Sequence, residues 1–356
     1  MTDHEPFQRE PQNPQDPQVV VFSPELLKLA DRRRQALEDC RQAAEDGDAN
    51  AVVQMGMNCL YGIGGAAKDP EKAFRWFSQT APDDPAGLYW LGVCYDNGFG
   101  VERDEDRACR LYQESAAGDY APALCNLGVC YESGQGVEKN LEKAVELYRR
   151  AAEGGYPRAW HFLGLSYDQG TGVEQNAQEA FRCFLAAAQG DYTEALCQTG
   201  MCYYFGHGTE RDYDRAAEYF CRGAEREHPR SMTRLGVCYE TGHGVEQDVQ
   251  RAEDLYRRAM ALGELEGQYC LAGLLRRRKD PESHREAARL LQKPAAVGMP
   301  RAQYLLGVCY ETGDGVEKKP RYAAYMYHRA ALQGHPEAML RLGICYETGV
   351  GTEKDP

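Results

Sequence analysis

One glycine recurs every 36 residues: Gly56, Gly92, Gly128, Gly164, Gly200 and Gly236. The next step falls on Ala272, one residue is then lost, and Gly307 and Gly343 complete the series. A period of this length, held over most of a chain, restricts the fold to a stack of like units, each covering the apolar face of its neighbour.

A single copy reads as two helices around a glycine loop. In the copy beginning near Ala121, the residues Ala123, Leu124, Leu127, Gly128 and Tyr131 fall at spacings of three and four, which is one helical stripe. Gly128 lets a neighbouring helix approach closely, at a cost of about 1 kcal/mol in helix propensity. Gly134 and Gly136 supply the positive φ that ends the helix and reverses the chain. Asn140 then caps a second helix, as Asp104, Asn176, Asp212 and Asp248 do in other copies and Asp69, followed by Pro70, does in the first. That helix turns Ala144, Leu147, Tyr148, Ala151 and Ala152 inward and leaves Glu146 and Arg150 outside as an i,i+4 pair.

The recurring strings LGVCYDNGFGV from Leu91, LGVCYESGQGV from Leu127, LGVCYETGHGV from Leu235 and LGVCYETGDGV from Leu306 resemble the Sel1-like repeat, a relative of the tetratricopeptide repeat. The resemblance spans roughly residues 31–355. It implies an all-α fold, a right-handed α/α superhelical solenoid of about eight repeats plus terminal half-repeats. It also implies a non-enzymatic scaffold or adaptor that holds a peptide or protein partner in its concave groove. A penicillin-interacting hydrolase and a purely structural spacer are the alternatives within the same resemblance.

Along the chain, residues 1–22 are rich in proline and glutamine and read as a disordered tail. Residues 23–48 read as a capping helix opened by Ser23 and Pro24, with Ala36 and Gly47 in register with the second helices that follow. Residues 49–356 form the array. Copy seven, about 265–299, is degenerate: Ala272 replaces the glycine, the glycine loop is lost, and Pro294 falls inside the second helix, where it should kink the chain. It reads as a degenerate repeat or as a hinge or second docking patch, built on Arg276, Arg277, Arg278 and Lys279. The last copy stops at Asp355 and Pro356, a helix start with no helix, and reads as truncated or completed by another molecule.

A net charge of −14 argues against nucleic acid or an anionic membrane as general partners. No apolar run is long enough to span a bilayer, and the first residues lack the pattern of a secretory signal, so a cytoplasmic location is expected. Fourteen cysteines are present, yet Cys94, Cys130, Cys202, Cys238, Cys309 and Cys345 each follow the repeat glycine by two residues, on the core stripe. Free buried thiols are expected there. No CxxC occurs, and His207 and His243, alike in their loops, read as solvent-facing rather than metal-binding; no metal or cofactor is expected. The glycine loops lack the lysine of a phosphate-binding loop, and none of the seven serines opens an S-x-x-K, so no enzyme is expected.

The side of the first helix turned away from the second helix holds the positions three before and one, four and five after the repeat glycine. In the tetratricopeptide-like relatives, the matching positions line the concave surface. The apolar column is Val93, Val129, Leu165, Met201 and Val237. The acidic column is Asp96, Glu132, Asp168, Glu240 and Glu311. Tyr89, His161, Tyr269 and Tyr304 add rings, and Tyr204 with Phe205 beside Met201 is the expected hot spot. This composition suits a basic, partly apolar partner. The competing reading is that the apolar column packs between repeats and the acids keep the array soluble.

Overall fold

The computed structural model describes residues 24–80 and 82–354. The described residues form helices and no strand. The opening helix α1 (Pro24–Glu45) is followed by nine first helices and eight second helices in alternation. The first helices are α2 (Ala49–Tyr61), α4 (Pro85–Asn97), α6 (Ala121–Ser133), α8 (Pro157–Gln169), α10 (Thr193–Phe205), α12 (Pro229–Thr241), α14 (Leu265–Arg276), α16 (Pro300–Thr312) and α18 (Pro336–Thr348). The second helices are α3 (Pro70–Phe77), α5 (Glu105–Ala117), α7 (Leu141–Glu153), α9 (Ala177–Gln189), α11 (Tyr213–Glu225), α13 (Val249–Ala261), α15 (Pro281–Ala296) and α17 (Pro320–Ala331). Helices α1–α5 belong to one unit that ends at Gly118; α6–α18 belong to another that starts at Asp119. Within each unit, every helix packs on the next along the chain, as in a solenoid. The N-terminal tail, the Ser23 cap and the final Asp355-Pro356 lie outside the described residues.

Each pair closes on its glycine. A Cβ placed on Gly128 would lie 2.5 Å from the Tyr148 ring, and the same ring contact meets Gly92 from Tyr112, Gly164 from Phe184, Gly200 from Phe220, Gly236 from Tyr256 and Gly307 from Tyr327. Tyr112, Tyr148, Tyr256, Tyr327 and Phe220 are among the most deeply buried side chains of the described residues. The propensity lost at the glycine is offset by a whole aromatic ring removed from water, worth roughly 2–3 kcal/mol.

The loop glycines do two separate tasks. The first, such as Gly170 at φ 70°, ends the helix in the left-handed conformation. The second joins repeats: Gly172 lies against the Leu141 carbonyl of the preceding second helix, where a side chain would strike backbone. Next comes the cap: Asn140 Oδ1 accepts from the Lys143 N–H at 2.9 Å, and Asp104, Asn176, Asp212 and Asp248 act alike. Arg150 departs from expectation, since it reaches Asp119 at 2.5 Å instead of Glu146 one turn away. Asp119 sits at φ 54° in the loop before α6.

Residues 265–299 keep the helix pair without its usual signals. Helix α14 ends at Arg277 in an ordinary right-handed conformation, with no glycine. Helix α15 runs through Pro294 to Ala296. The proline removes the N–H that would bond the Leu290 carbonyl, and the Gln268 side chain donates to that carbonyl at 2.7 Å instead.

Candidate partner-binding surface

The face of the first helices opposite their own second helices is stepped rather than open. Three residues before the glycine, Tyr89 and His161 are buried, together with Cys125, Cys197 and Thr233; Tyr269 and Tyr304 are half-buried. Burial holds His161 neutral by pushing its pKa down to about 4, and its Nδ1 has no partner among the described residues. One residue after the glycine, Val93, Val129, Leu165, Met201 and Val237 are all half-buried. Leu165, Met201 and Val237 lie partly against the buried clusters of the array.

The acidic column has partners of its own. Tyr148 donates its hydroxyl to Glu132 at 2.6 Å, Tyr256 to Glu240 at 2.7 Å, Tyr327 to Glu311 at 2.7 Å and Tyr112 to Asp96 at 3.3 Å. In each case the donor is the ring that covers the repeat glycine. Burial first, and the facing carboxylate with it, holds the Tyr148 and Tyr327 phenols far above their ordinary range, so these hydroxyls stay donors.

In the repeats of Phe184 and Phe220, the residue four after the glycine turns to the next repeat. Asp168, in the repeat of Phe184, meets His207 Nε2 at 2.7 Å. Tyr204, in the repeat of Phe220, sits 2.9 Å from His243 Nδ1, and that imidazole stacks on Tyr213 at 4.3 Å. His207 and His243 therefore join repeats. Among the described residues, no group of three or more histidine, cysteine or acidic side chains is arranged to hold a metal ion.

The basic run is also engaged. Arg276 reaches Asp314 at 3.3 Å, Arg277 pairs with Glu240, and Arg278 pairs with the buried Glu253. Lys279 lines a cleft with His284 and Asp314.

One cleft gathers apolar groups from several first helices, wholly within the unit that starts at Asp119. Its volume is about 610 Å³. Met201 and Phe205 of α10, Tyr269 of α14 and Met299 at the cap of α16 supply its apolar lining. Phe205 is 63% exposed there. Arg234 of α12, Glu266 of α14 and Arg301 of α16 supply its charges, with Arg234 and Glu266 3.5 Å apart. Of the residues expected to bind, the structure brings Met201, Phe205 and Tyr269 together here, while Tyr204 points to His243. Met299, Arg234, Glu266 and Arg301 were not anticipated. A signal for two of them exists: six residues before the repeat glycine, Arg158, Glu194, Arg230, Glu266, Arg301 and Glu337 alternate in sign.

The Sel1 repeat pattern matches residues 49–81, 85–120, 121–156, 157–192, 193–228, 229–264, 300–335 and 336–356, which is well over half of the chain. The chain belongs to the Sel1 repeat family. Solved structures similar to it include two Sel1-like repeat folds. One is a protective antigen of uropathogenic Escherichia coli strains displaying an SLR fold, 27% identical, with a TM-score of 0.57 over 92% of this chain and 80% of that one. The other is a Sel1 repeat protein from Oxalobacter formigenes, 28% identical, with a TM-score of 0.57 over 68% of this chain and 99% of that one. Among curated proteins, DAP3-binding cell death enhancer 1 of Rattus norvegicus is 33% identical over 96 residues, 26% of this chain; the match spans 18% of that relative's length. Sel1 repeats are generally protein–protein interaction scaffolds and are typically non-catalytic. No described helix is long and apolar enough to cross a membrane.

Proposed function

We propose that this Sel1 repeat protein is a non-enzymatic interaction scaffold that holds a peptide or protein partner against first helices α10, α12 and α14. The observation that carries the reading is Phe205, a large ring left mostly in water beside Met201 and Tyr269 in a concave cleft. Large apolar side chains gathered in an open cleft are characteristic of docking surfaces, and aromatic anchors in such clefts carry much of the binding energy. The acidic column, expected to attract a basic partner, supports this half of the reading less. Its described members from Asp96 to Glu311 already meet tyrosine hydroxyls, a guanidinium or an imidazole.

The test is affinity capture from lysate on the intact chain beside its Phe205→Ser variant, at low and at high salt. Phe205 is exposed, so the substitution leaves the core packed and the two baits should melt alike. A partner kept by the intact chain and lost from the variant supports the scaffold. The same set of proteins on both baits would place binding elsewhere, and an empty capture on both would favour a structural spacer.

A further inference from the structure

We infer that the cleft on α10, α12, α14 and α16 accepts an acidic peptide segment whose apolar side chain seats on Phe205 and whose carboxylate meets Arg301. This rests on the scaffold reading and adds the chemistry of the partner. The argument starts from an imbalance. The chain carries −14 overall, yet the side chains lining this cleft include two arginines against one glutamate. Arg234 is partly satisfied by Glu266 at 3.5 Å. Arg301 is exposed, at the start of α16, and makes no hydrogen bond or ion pair to another described residue.

Arg230, Arg258, Arg285 and Arg321 of this unit also meet no carboxylate among the described residues, but none of them lines this cleft. Arg150, Arg226, Arg257, Arg276, Arg278 and Arg341 each meet a carboxylate. An unpaired guanidinium beside an apolar floor is a fixed fork for a carboxylate, which it binds through two parallel N–H···O bonds. Beside it, Met201, Phe205 and Tyr269 offer area to an aliphatic or aromatic side chain. A volume of about 610 Å³ suits one or two side chains rather than a folded domain. A basic segment would set its own charges against Arg234 and Arg301, and like charges at close range select against such a partner.

The experiment is a selection of random twelve-residue peptides displayed on phage against the intact chain, with heat-unfolded protein as the control. Enriched peptides are then synthesised with a fluorescein label. Anisotropy titrations compare the intact chain with Arg301→Glu, Arg301→Lys and Phe205→Ala. Circular dichroism checks that each variant keeps its helices and its melting temperature. The inference expects Asp or Glu beside an aromatic or aliphatic residue in the enriched peptides. It expects the dissociation constant to rise at least ~10-fold in Arg301→Glu and in Phe205→Ala, and ~2–3-fold in Arg301→Lys, which keeps the charge without the fork. Enriched peptides that are basic, or that bind Arg301→Glu as tightly as the intact chain, would overturn this inference and leave the scaffold standing. No enrichment over the unfolded control would overturn both.

Discussion

At the scale of single residues, the repeat glycine is held in place by a ring. The Tyr148 ring lies where a Gly128 Cβ would be, and its hydroxyl is tied to Glu132 at 2.6 Å, so it cannot retreat without breaking that bond. Gly128→Ala would gain about 1 kcal/mol of helix propensity and lose roughly 1–3 kcal/mol to overpacking. The net expectation is destabilisation. Gly343 holds the same repeat position in α18, but nothing lies within 4 Å of its Cβ site. Gly343→Ala should therefore stabilise, by up to about 1 kcal/mol. Urea unfolding of the two variants checks this: midpoints moving in opposite directions are expected, and a shared direction would mean that the ring contact does not govern the position. The cap and the helix-ending glycine were legible because they act within a few residues of themselves, and the repeat glycine because it recurs every 36 residues. The Tyr148–Glu132 bond was not, since its partners sit on different helices, 16 residues apart. Its trace is internal: Tyr112, Tyr148, Tyr256 and Tyr327 occur in copies with an acid four after the glycine, whereas the Phe77 and Phe220 copies hold Leu60 and Tyr204 there and the Asp168 of the Phe184 copy faces the next repeat.

At the scale of elements, helix α15 explains how a degenerate repeat stays in the stack. Pro294 was legible as a missing donor. The remedy was not, because Gln268 stands on α14, 22 residues before the carbonyl it serves. Other copies hold Leu88, Leu124 or Leu196 at the place of Gln268, so leucine fits the site sterically. Gln268→Leu should cost about 1–2 kcal/mol, because the Leu290 carbonyl is then left unbonded beside a buried proline. With Pro294→Ala also present, the backbone N–H at 294 can reach that carbonyl and the cost should largely vanish. A double-mutant cycle measures this coupling. An equal cost with and without the proline would mean that the glutamine packs but does not cap. The basic run nearby has a similar lesson: Arg276, Arg277 and Arg278 look like a free patch in sequence, yet each meets a carboxylate from α12, α13 or the loop after α16.

At the scale of the whole molecule, the repeated glycine determines which side of every first helix is covered, and that decides what remains for a partner. Most of the expected binding face is used by the array itself: Tyr89 and His161 are buried, and the acidic column is bonded to neighbouring side chains. Among what stays open in the unit from Asp119 onward is the cleft of Phe205, whose lining comes from residues up to 135 positions apart, between Met201 and Pro336. Periodicity places each of those residues on a face; it does not say which faces meet across the curve of a solenoid. The most direct measurement is site-specific photo-crosslinking. A benzophenone amino acid would replace Phe205 in one sample and Glu218, exposed on the second helix of the same repeat, in another. With a partner or a selected peptide present, a covalent adduct is predicted at 205 and not at 218. An adduct at 218 with none at 205 would contradict the account and move the binding surface to the second helices.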